Sequence, residues 1–271
     1  MLLNKITETT TFLQAIIKAK STIGIVLGTG LGAFVNKIEN QLILPYNEIP
    51  NFPVSTVEFH KGNLIFGQVG NKNIIAMQGR FHYYEGYSMQ QITFPIRVMK
   101  ALGVRHLFLS NAAGGINLDH KKGSLVLIDD HLNFLPDNPL RGLNDAALGE
   151  CFVDMCAPYD EDLMERITYA ALQQNIVLKR GTYAAVMGPN LETKAEYRWL
   201  RSTGADMVGM STVPEVIVAN QTGIKCAAIS VITDECDPDN LKPVNIAEII
   251  EVAGKSDKIL SEILFYTICA L

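Results

Sequence analysis

The sequence runs to 271 residues without a single C-x-x-C pair among its five cysteines, Cys151, Cys156, Cys226, Cys236 and Cys269. That absence excludes a zinc ribbon or a dithiol redox motif. Cysteines so scattered read as reduced thiols or packing residues rather than a disulfide framework. Histidines number five and do not cluster with cysteine, so no metal is expected. Long apolar runs are also missing, and nothing reaches the length of a membrane span. The opening MLLNKITETT carries Asn4, Lys5 and Glu8 where a signal peptide needs its apolar centre, which makes the cytoplasm the expected compartment. Positive charge is not in excess. Lys and Arg number 23 against 28 Asp and Glu, for a net charge of −5. General attraction to nucleic acid is thereby excluded, while a local cationic pocket is not. No repeat, low-complexity tract or linker divides the chain, so one domain over residues 1–271 is expected.

What is present is ordinary globular composition, 48% hydrophobic and 19% charged, enough to bury a large core without disulfide staples. Strand-like apolar runs recur at 22–28, 63–69, 73–79, 105–111, 124–130, 181–187 and 225–233. Several are apolar almost throughout, as expected of strands covered on both faces. Helical patterns lie between them at 88–102, 160–175, 192–204 and 213–223, and a last long one at about 245–270 closes the chain. The alternation predicts an α/β fold with a mixed or mostly parallel sheet. Ligands in such folds sit outside the carboxyl ends of strands, and every informative motif falls there.

VLGTGLGAF (26–34) ends a strand with glycines 28, 30 and 32 around Thr29. Glycines let backbone N–H groups approach a phosphate, and a hydroxyl adds a donor. A plain strand-to-helix turn fits the same pattern, and GxGxG is not the dinucleotide spacing. GRFHYYEGYS (79–88) brings Arg80, a planar fork for an oxyanion, together with His82 and Tyr84; these are costly to bury without partners. In LSNAAGGIN (109–117), small residues let a ligand lie against the backbone, with Asn111 and the Ala112 N–H as donors, although a close-packed glycine turn explains it alone. In VMGPNLETKAEY (186–197), Glu192 is either a first-turn helix acid or an acceptor for the N–H groups of a heterocycle. In VGMSTVPEV (208–216), Ser211 or Thr212 suits a helix cap that also presents a hydroxyl and free N–H groups to an anion, and Met210 either lines a sugar or fills core. His60, His106, His120 and His131 read as local hydrogen-bonders. VITDECDPDN (231–240) concentrates Asp234, Glu235, Asp237 and Asp239, but a calcium loop would need glycine where Asp239 or Lys242 stands. Most of these carboxylates are expected to be solvated or to cap the following turn. Asp234, directly at a strand end, stands apart.

Taken together the chain resembles the trimeric purine nucleoside phosphorylase family, which also contains methylthioadenosine phosphorylases. The resemblance covers roughly residues 20 to 265. It rests on GTGLG (28–32), GRFHYYEGY (79–87), NAAGG (111–115), NPLRGLND (138–145), GPNLETKAEY (188–197) and GMSTVPEV (209–216), six motifs in order. GRFHYYEGY and GMSTVPE are similar to the nucleoside phosphorylase branch. The resemblance implies a single domain with a mixed β-sheet forming a distorted barrel surrounded by helices, assembled as a homotrimer. It implies reversible phosphorolysis of purine nucleosides in purine salvage, with inorganic phosphate as co-substrate and no cofactor. By position it assigns phosphate to Thr29, His60, Arg80, His82, the Ala112 backbone and Ser211. It assigns ribose to Tyr84 and Met210, and the base to Leu191, Glu192, Val208 and Asp234. His82, Glu192 and Asp234 are the groups expected to act on the reacting phosphate and base. Leu148 matches a residue that reaches into the neighbouring subunit's site.

Four positions depart from the family pattern. Leu191 and Leu148 stand where phenylalanines are usual, PVNIAEII (243–250) lacks the histidine offered to the ribose 5′-hydroxyl, and Asp234 replaces an asparagine that reads 6-oxopurines. An aspartate there is a mark of the methylthioadenosine branch. Phosphorolysis needs an oxyanion clamp near C1′ and a donor at purine N7. Asp234 meets the second need only when protonated, which burial against an apolar wall favours. Protonated Asp234 would suit a 6-aminopurine, whereas ionised Glu192 suits the N1–H of a 6-oxopurine, so the two residues signal opposite preferences. The overall motif set favours purine nucleoside phosphorolysis, with a methylthioadenosine phosphorylase-like preference as the alternative.

Overall fold

The computed structural model describes residues 1–17, 19–29, 32–54 and 61–271; His60, and Gly30 and Leu31 in the glycine motif, lie outside them. Among the described residues six α-helices, α1 (Leu2–Ile16), α2 (Met89–Ala101), α3 (Glu161–Leu172), α4 (Lys194–Ser202), α5 (Val213–Gln221) and α6 (Ile246–Cys269), surround one sheet. Its nine strands are β1 (Ile23–Leu27), β2 (Glu39–Pro45), β3 (Asn63–Val69), β4 (Lys72–Gln78), β5 (His106–Gly115), β6 (Leu125–Asn133), β7 (Lys179–Ala185), β8 (Met207–Gly209) and β9 (Lys225–Glu235).

The strand order is β2-β3-β4-β1-β5-β8-β7-β6-β9, and β9 pairs back onto β5. The strands from β5 to β9 therefore close into a mixed barrel, while β1 to β4 extend from β5 as an open wing. Strand β1 is parallel to both β4 and β5. All five of its residues, IGIVL, are buried, as central parallel strands require. The α/β class is as the alternation of elements predicts, and the helix-wrapped barrel is as the family resemblance implies.

Two strands escape sequence reading for physical reasons. Strand β2 is an antiparallel edge whose side chains are mostly exposed, so it lacks an apolar run. Strand β8 has three residues and draws its order from β5 and β7 rather than from its own pattern. The turn after β1 leads only to a short 3₁₀ turn, Ala33–Lys37, rather than a full helix.

Strand β5 is the common wall of wing and barrel, and two close approaches fix it. A Cβ at Gly28 would lie 2.6 Å from the Ser110 carbonyl oxygen, and one at Gly114 would lie 2.5 Å from Cys236 Sγ. Both positions therefore need glycine. Along β5 and β9 the register slips by one residue: Ala113 faces Ile232, but Gly114 faces Asp234, leaving Thr233 surplus. This bulge occurs where the strands reach the site, a common place for one.

Candidate active site

A cleft of ≈ 320 Å³ opens at the ends of β1, β4, β5, β8 and β9, with the first turns of α6 along one side. Thr29, Arg80, His82, Tyr84, Ala112, Leu191, Glu192, Val208, Met210, Ser211 and Asp234 all line it. These side chains come from segments scattered over two hundred residues, and strand order alone brings them together. His60 lies outside the described residues. Leu148 does not line the cleft. It packs into the core of its own chain, 7% exposed, and its carbonyl accepts from Arg97 Nη1 at 3.3 Å. A leucine is short enough to turn inward there. Phe152, 92% exposed, is what this segment presents at the surface.

Arg80 is 1% exposed. Its Nε donates to Glu215 Oε1 at 3.0 Å, and its Nη1 donates to the Ser110 carbonyl at 2.7 Å and to Ser211 Oγ at 3.3 Å. A buried guanidinium and carboxylate must be paired to be tolerated at all, and this pairing fixes the fork before any ligand binds. Glu215, in the first turn of α5, was not singled out from sequence. A carboxylate inside the otherwise apolar VPEVIVA is the signal that could have revealed it.

His82 is oriented by Glu85, whose Oε1 lies 2.8 Å from both His82 Nδ1 and the His82 backbone N. The ring stacks on Tyr84 with centroids 4.7 Å apart. Burial lowers the His82 pKa, opposed by the hydrogen bond to Glu85. The neutral ring with its proton on Nδ1 carries its acceptor on Nε2, which suits a protonated phosphate oxygen. Burial and the neighbouring Glu85 push the Tyr84 hydroxyl up to about 12, so it remains a donor.

Ser211 and Thr212 do not cap α5 with their side chains. Thr212 has φ +69° and ψ −53°, and Val213 N donates to the Ser211 carbonyl at 2.8 Å. That is a γ-turn of the rarer hand, which costs a β-branched residue about 1–3 kcal/mol. A buried hydrogen-bond chain holds it. Ser230 Oγ donates to Asn111 Oδ1 at 2.8 Å, Asn111 Nδ2 donates to Thr212 Oγ1 at 2.8 Å, and Thr212 Oγ1 lies 3.2 Å from Ser211 Oγ. The strained turn presents Ser211 beside Arg80.

Glu192 is not a first-turn helix acid. Thr193 caps α4 in a reciprocal box with Glu196, which leaves Glu192 outside the helix and on the cleft. Burial raises its pKa, opposed by a hydrogen bond from Tyr197. Asp234 Oδ1 accepts from Thr233 Oγ1 at 2.8 Å, and Oδ2 accepts from Cys236 Sγ at 3.2 Å. The other acids of the run turn outward: Asp237 accepts from Asp239 N at 3.3 Å, and Asp239 pairs with Arg198 at 2.7 Å. Among the described residues no cluster suited to a metal is found, and no helix is long and apolar enough to cross a membrane. A larger hollow, ≈ 760 Å³, lies between α3 and the end of α6. Of its charged groups Arg166 pairs with Asp162 at 3.0 Å, and it gathers no set of groups comparable to the cleft's.

A closed mixed barrel of this topology, with an anion-suited cluster and a pair of carboxylates in one strand-end cleft, defines a class. The phosphorylase superfamily model matches residues 22–268, and the chain belongs to that family. It is 48% identical over 252 residues to purine nucleoside phosphorylase 1 of Bacillus subtilis (strain 168), a match covering 93% of each protein. Among solved structures it is similar to isoform 2 of purine nucleoside phosphorylase from Schistosoma mansoni, determined with cytosine and ribose-1-phosphate. That comparison has TM-score 0.94 and 40% identity, covering 99% of this chain and 96% of that one. A Schistosoma mansoni purine nucleoside phosphorylase in complex with adenosine gives TM-score 0.92 at 36% identity, covering 98% and 96%.

Proposed function

We propose that the chain catalyses reversible phosphorolysis of purine ribonucleosides or deoxyribonucleosides, releasing the base and a pentose 1-phosphate. The observation that carries this is one cleft lined both by the pre-paired Arg80, His82 and Ser211 and by the carboxylates Glu192 and Asp234. Phosphate lies against Thr29, Arg80, His82, the Ala112 N–H and Ser211, with His60 assigned to the same group by resemblance. Tyr84 and Met210 contact the pentose; Val208, Leu191, Glu192 and Asp234 contact the purine. The phosphate oxyanion attacks C1′ as the bond to N9 lengthens, so the protein supplies a preorganised field rather than a covalent nucleophile. Hydrogen bonds at the base end hold the departing purine, which takes up the negative charge. No metal or cofactor enters this scheme. A cytoplasmic homotrimer working in purine salvage is the setting we assign to it.

One observation favours a second reading of the sugar end. Ile246, Ile249 and Ile250 of α6 line the cleft, an apolar wall suited to a 5′-deoxy-5′-alkylthio group rather than a 5′-hydroxyl. Phosphate-dependent base release from inosine, guanosine, adenosine and methylthioadenosine, compared side by side, tests both. No release from any of the four sinks the main reading; equal efficiency for adenosine and methylthioadenosine sinks the second.

A further inference from the structure

The hydrogen-bond chain that holds the Thr212 turn has a direction as well as a length. It starts at Ser230, which is 0% exposed and whose hydroxyl, among the described residues, meets Asn111 alone. A buried hydroxyl left unpaired is costly, so the Ser230 proton goes to Asn111 Oδ1 at 2.8 Å. That bond pins the buried Asn111 amide with its nitrogen toward Thr212, and Nδ2 donates to Thr212 Oγ1 at 2.8 Å. Thr212, also buried, then has its own single proton to give, and Ser211 Oγ lies 3.2 Å away. Arg80 Nη1 donates to the same Ser211 Oγ at 3.3 Å, and a guanidinium cannot accept. Each link thus has a proton of its own. Both lone pairs of Ser211 are taken, so what its hydroxyl has left to offer is its proton. The Tyr183 hydroxyl nearby already accepts from Ser211 N at 3.3 Å, and an oxyanion in the cleft is the stronger acceptor.

We propose that Ser230, Asn111 and Thr212 are positioning residues that make the Ser211 hydroxyl a donor toward the cleft, so that Ser211 takes an unprotonated oxygen of the bound anion and the protonated oxygen is directed to His82. The inference rests on the phosphorolysis reading only for the identity of that anion. A protonated oxygen placed at Ser211 would meet lone pairs that are already filled. His82, with Nδ1 on Glu85, accepts such a proton at Nε2. Residue type alone suggests Asn111, which lines the cleft, as a direct donor to the ligand. Its bonds to Ser230 and Thr212 make it act through Ser211 instead.

Sulfate isolates the effect, because it matches the phosphate dianion in shape and charge but carries no proton. The test titrates the intact chain calorimetrically with inorganic phosphate and with sulfate at mildly alkaline pH, where both are dianions. Ser230→Ala removes the proton that pins the amide, which can then turn its oxygen to Thr212. Thr212 donates to Asn111 in that arrangement, and Ser211 regains a lone pair for a protonated phosphate oxygen. Asn111→Asp imposes the same reversal by offering Ser230 and Thr212 an acceptor each. In both variants sulfate affinity is expected to fall about fivefold relative to phosphate, the size of one neutral hydrogen bond. Ser230→Thr keeps the hydroxyl and should keep the wild-type ratio. The charge that Asn111→Asp adds acts on the two dianions alike, so their ratio still reports the direction of the chain. A purely structural role would weaken both anions in proportion, and an unchanged ratio in Ser230→Ala and Asn111→Asp overturns the proposal; should one of the two fail to fold, the other decides. A wild-type chain that binds neither anion overturns the anion site and the proposal together. A shifted ratio in a chain that releases no base from any nucleoside upholds the proposal and overturns phosphorolysis.

Discussion

Arg80 is bonded to Glu215, Ser110 and Ser211 within the chain itself, so its removal has two separable effects. Arg80→Ala should cost roughly 2–4 kcal/mol of transition-state stabilisation and raise the phosphate KM, as expected for one preorganised donor. It also strands a buried carboxylate, which costs on the order of 3–5 kcal/mol of stability. Thermal unfolding and steady-state kinetics measure the two parts, and a variant with normal phosphate KM would remove Arg80 from the clamp. Glu192 yields a pH prediction. Burial raises its pKa, as do Asp234 and Glu196 nearby, while the Tyr197 hydrogen bond opposes them. The protonated form is therefore populated at higher pH than for an ordinary glutamate, and only that form can donate to adenine N1. The adenosine-to-guanosine ratio of kcat/KM should rise as pH falls through this range, and Glu192→Gln should flatten the profile; a flat wild-type profile contradicts the assignment. Asp234→Asn supplies an amide donor toward a 6-oxo group and should raise the inosine-to-adenosine ratio about tenfold, ~1.4 kcal/mol. Asp237→Asn, on the outward-facing part of the run, serves as the control whose ratio stays put.

Helix α6 reaches both ends of the site. Ile246, Ile249 and Ile250 border the cleft, while Asp257, two turns further on and 3% exposed, accepts from Ala33 N at 2.5 Å. Asp257 thereby ties the helix to the start of the 3₁₀ turn at Ala33. Asp257→Ala leaves that half-buried N–H without its partner and should cost about 1–3 kcal/mol of stability, with a higher phosphate KM if the tie also steadies the Thr29 side of the cleft. An unchanged KM alongside lost stability would confine Asp257 to the fold. The same scale explains what the sequence made legible. GRFHYYEGY, NAAGG and GMSTVPEV could be read because each breaks an apolar strand with residues that only a ligand or a special turn requires. Tyr197, Cys236 and Glu215 could not, because each reads as ordinary inward packing, two of them on nine-residue helices and Cys236 just past the end of β9. Their meaning arises only where α4, α5 and β9 converge. Thr212 was legible as a cap by residue type, yet its left-handed backbone follows from the Asn111 and Ser230 hydrogen bonds, which are distant in sequence.

The whole molecule is organised around β5, which belongs to both the wing and the barrel. The wing brings Thr29 and Arg80 to this strand, and the barrel brings Ser211 and Asp234. Assembly is the prediction that belongs at this scale. Phe152 stands 92% exposed beside the segment that the family resemblance assigns to an interface, and a homotrimer would cover it. Sedimentation of Phe152→Asp should show dissociation, while a wild-type chain that sediments as an active monomer would end the idea. Between Ala113 and Gly114 the register against β9 slips by one, with Thr233 the surplus residue. Strand faces alternate with a period of two, and the surplus residue lets two successive side chains, those of Thr233 and Asp234, border one cleft. The Thr233 hydroxyl thereby lies on Asp234 Oδ1. Deleting Thr233 would restore a regular ladder with Asp234 still opposite Gly114, so the carboxylate would keep its face and lose its neighbour. The bulge is thus a built-in companion for one side chain, and it can be removed without moving the residue it attends.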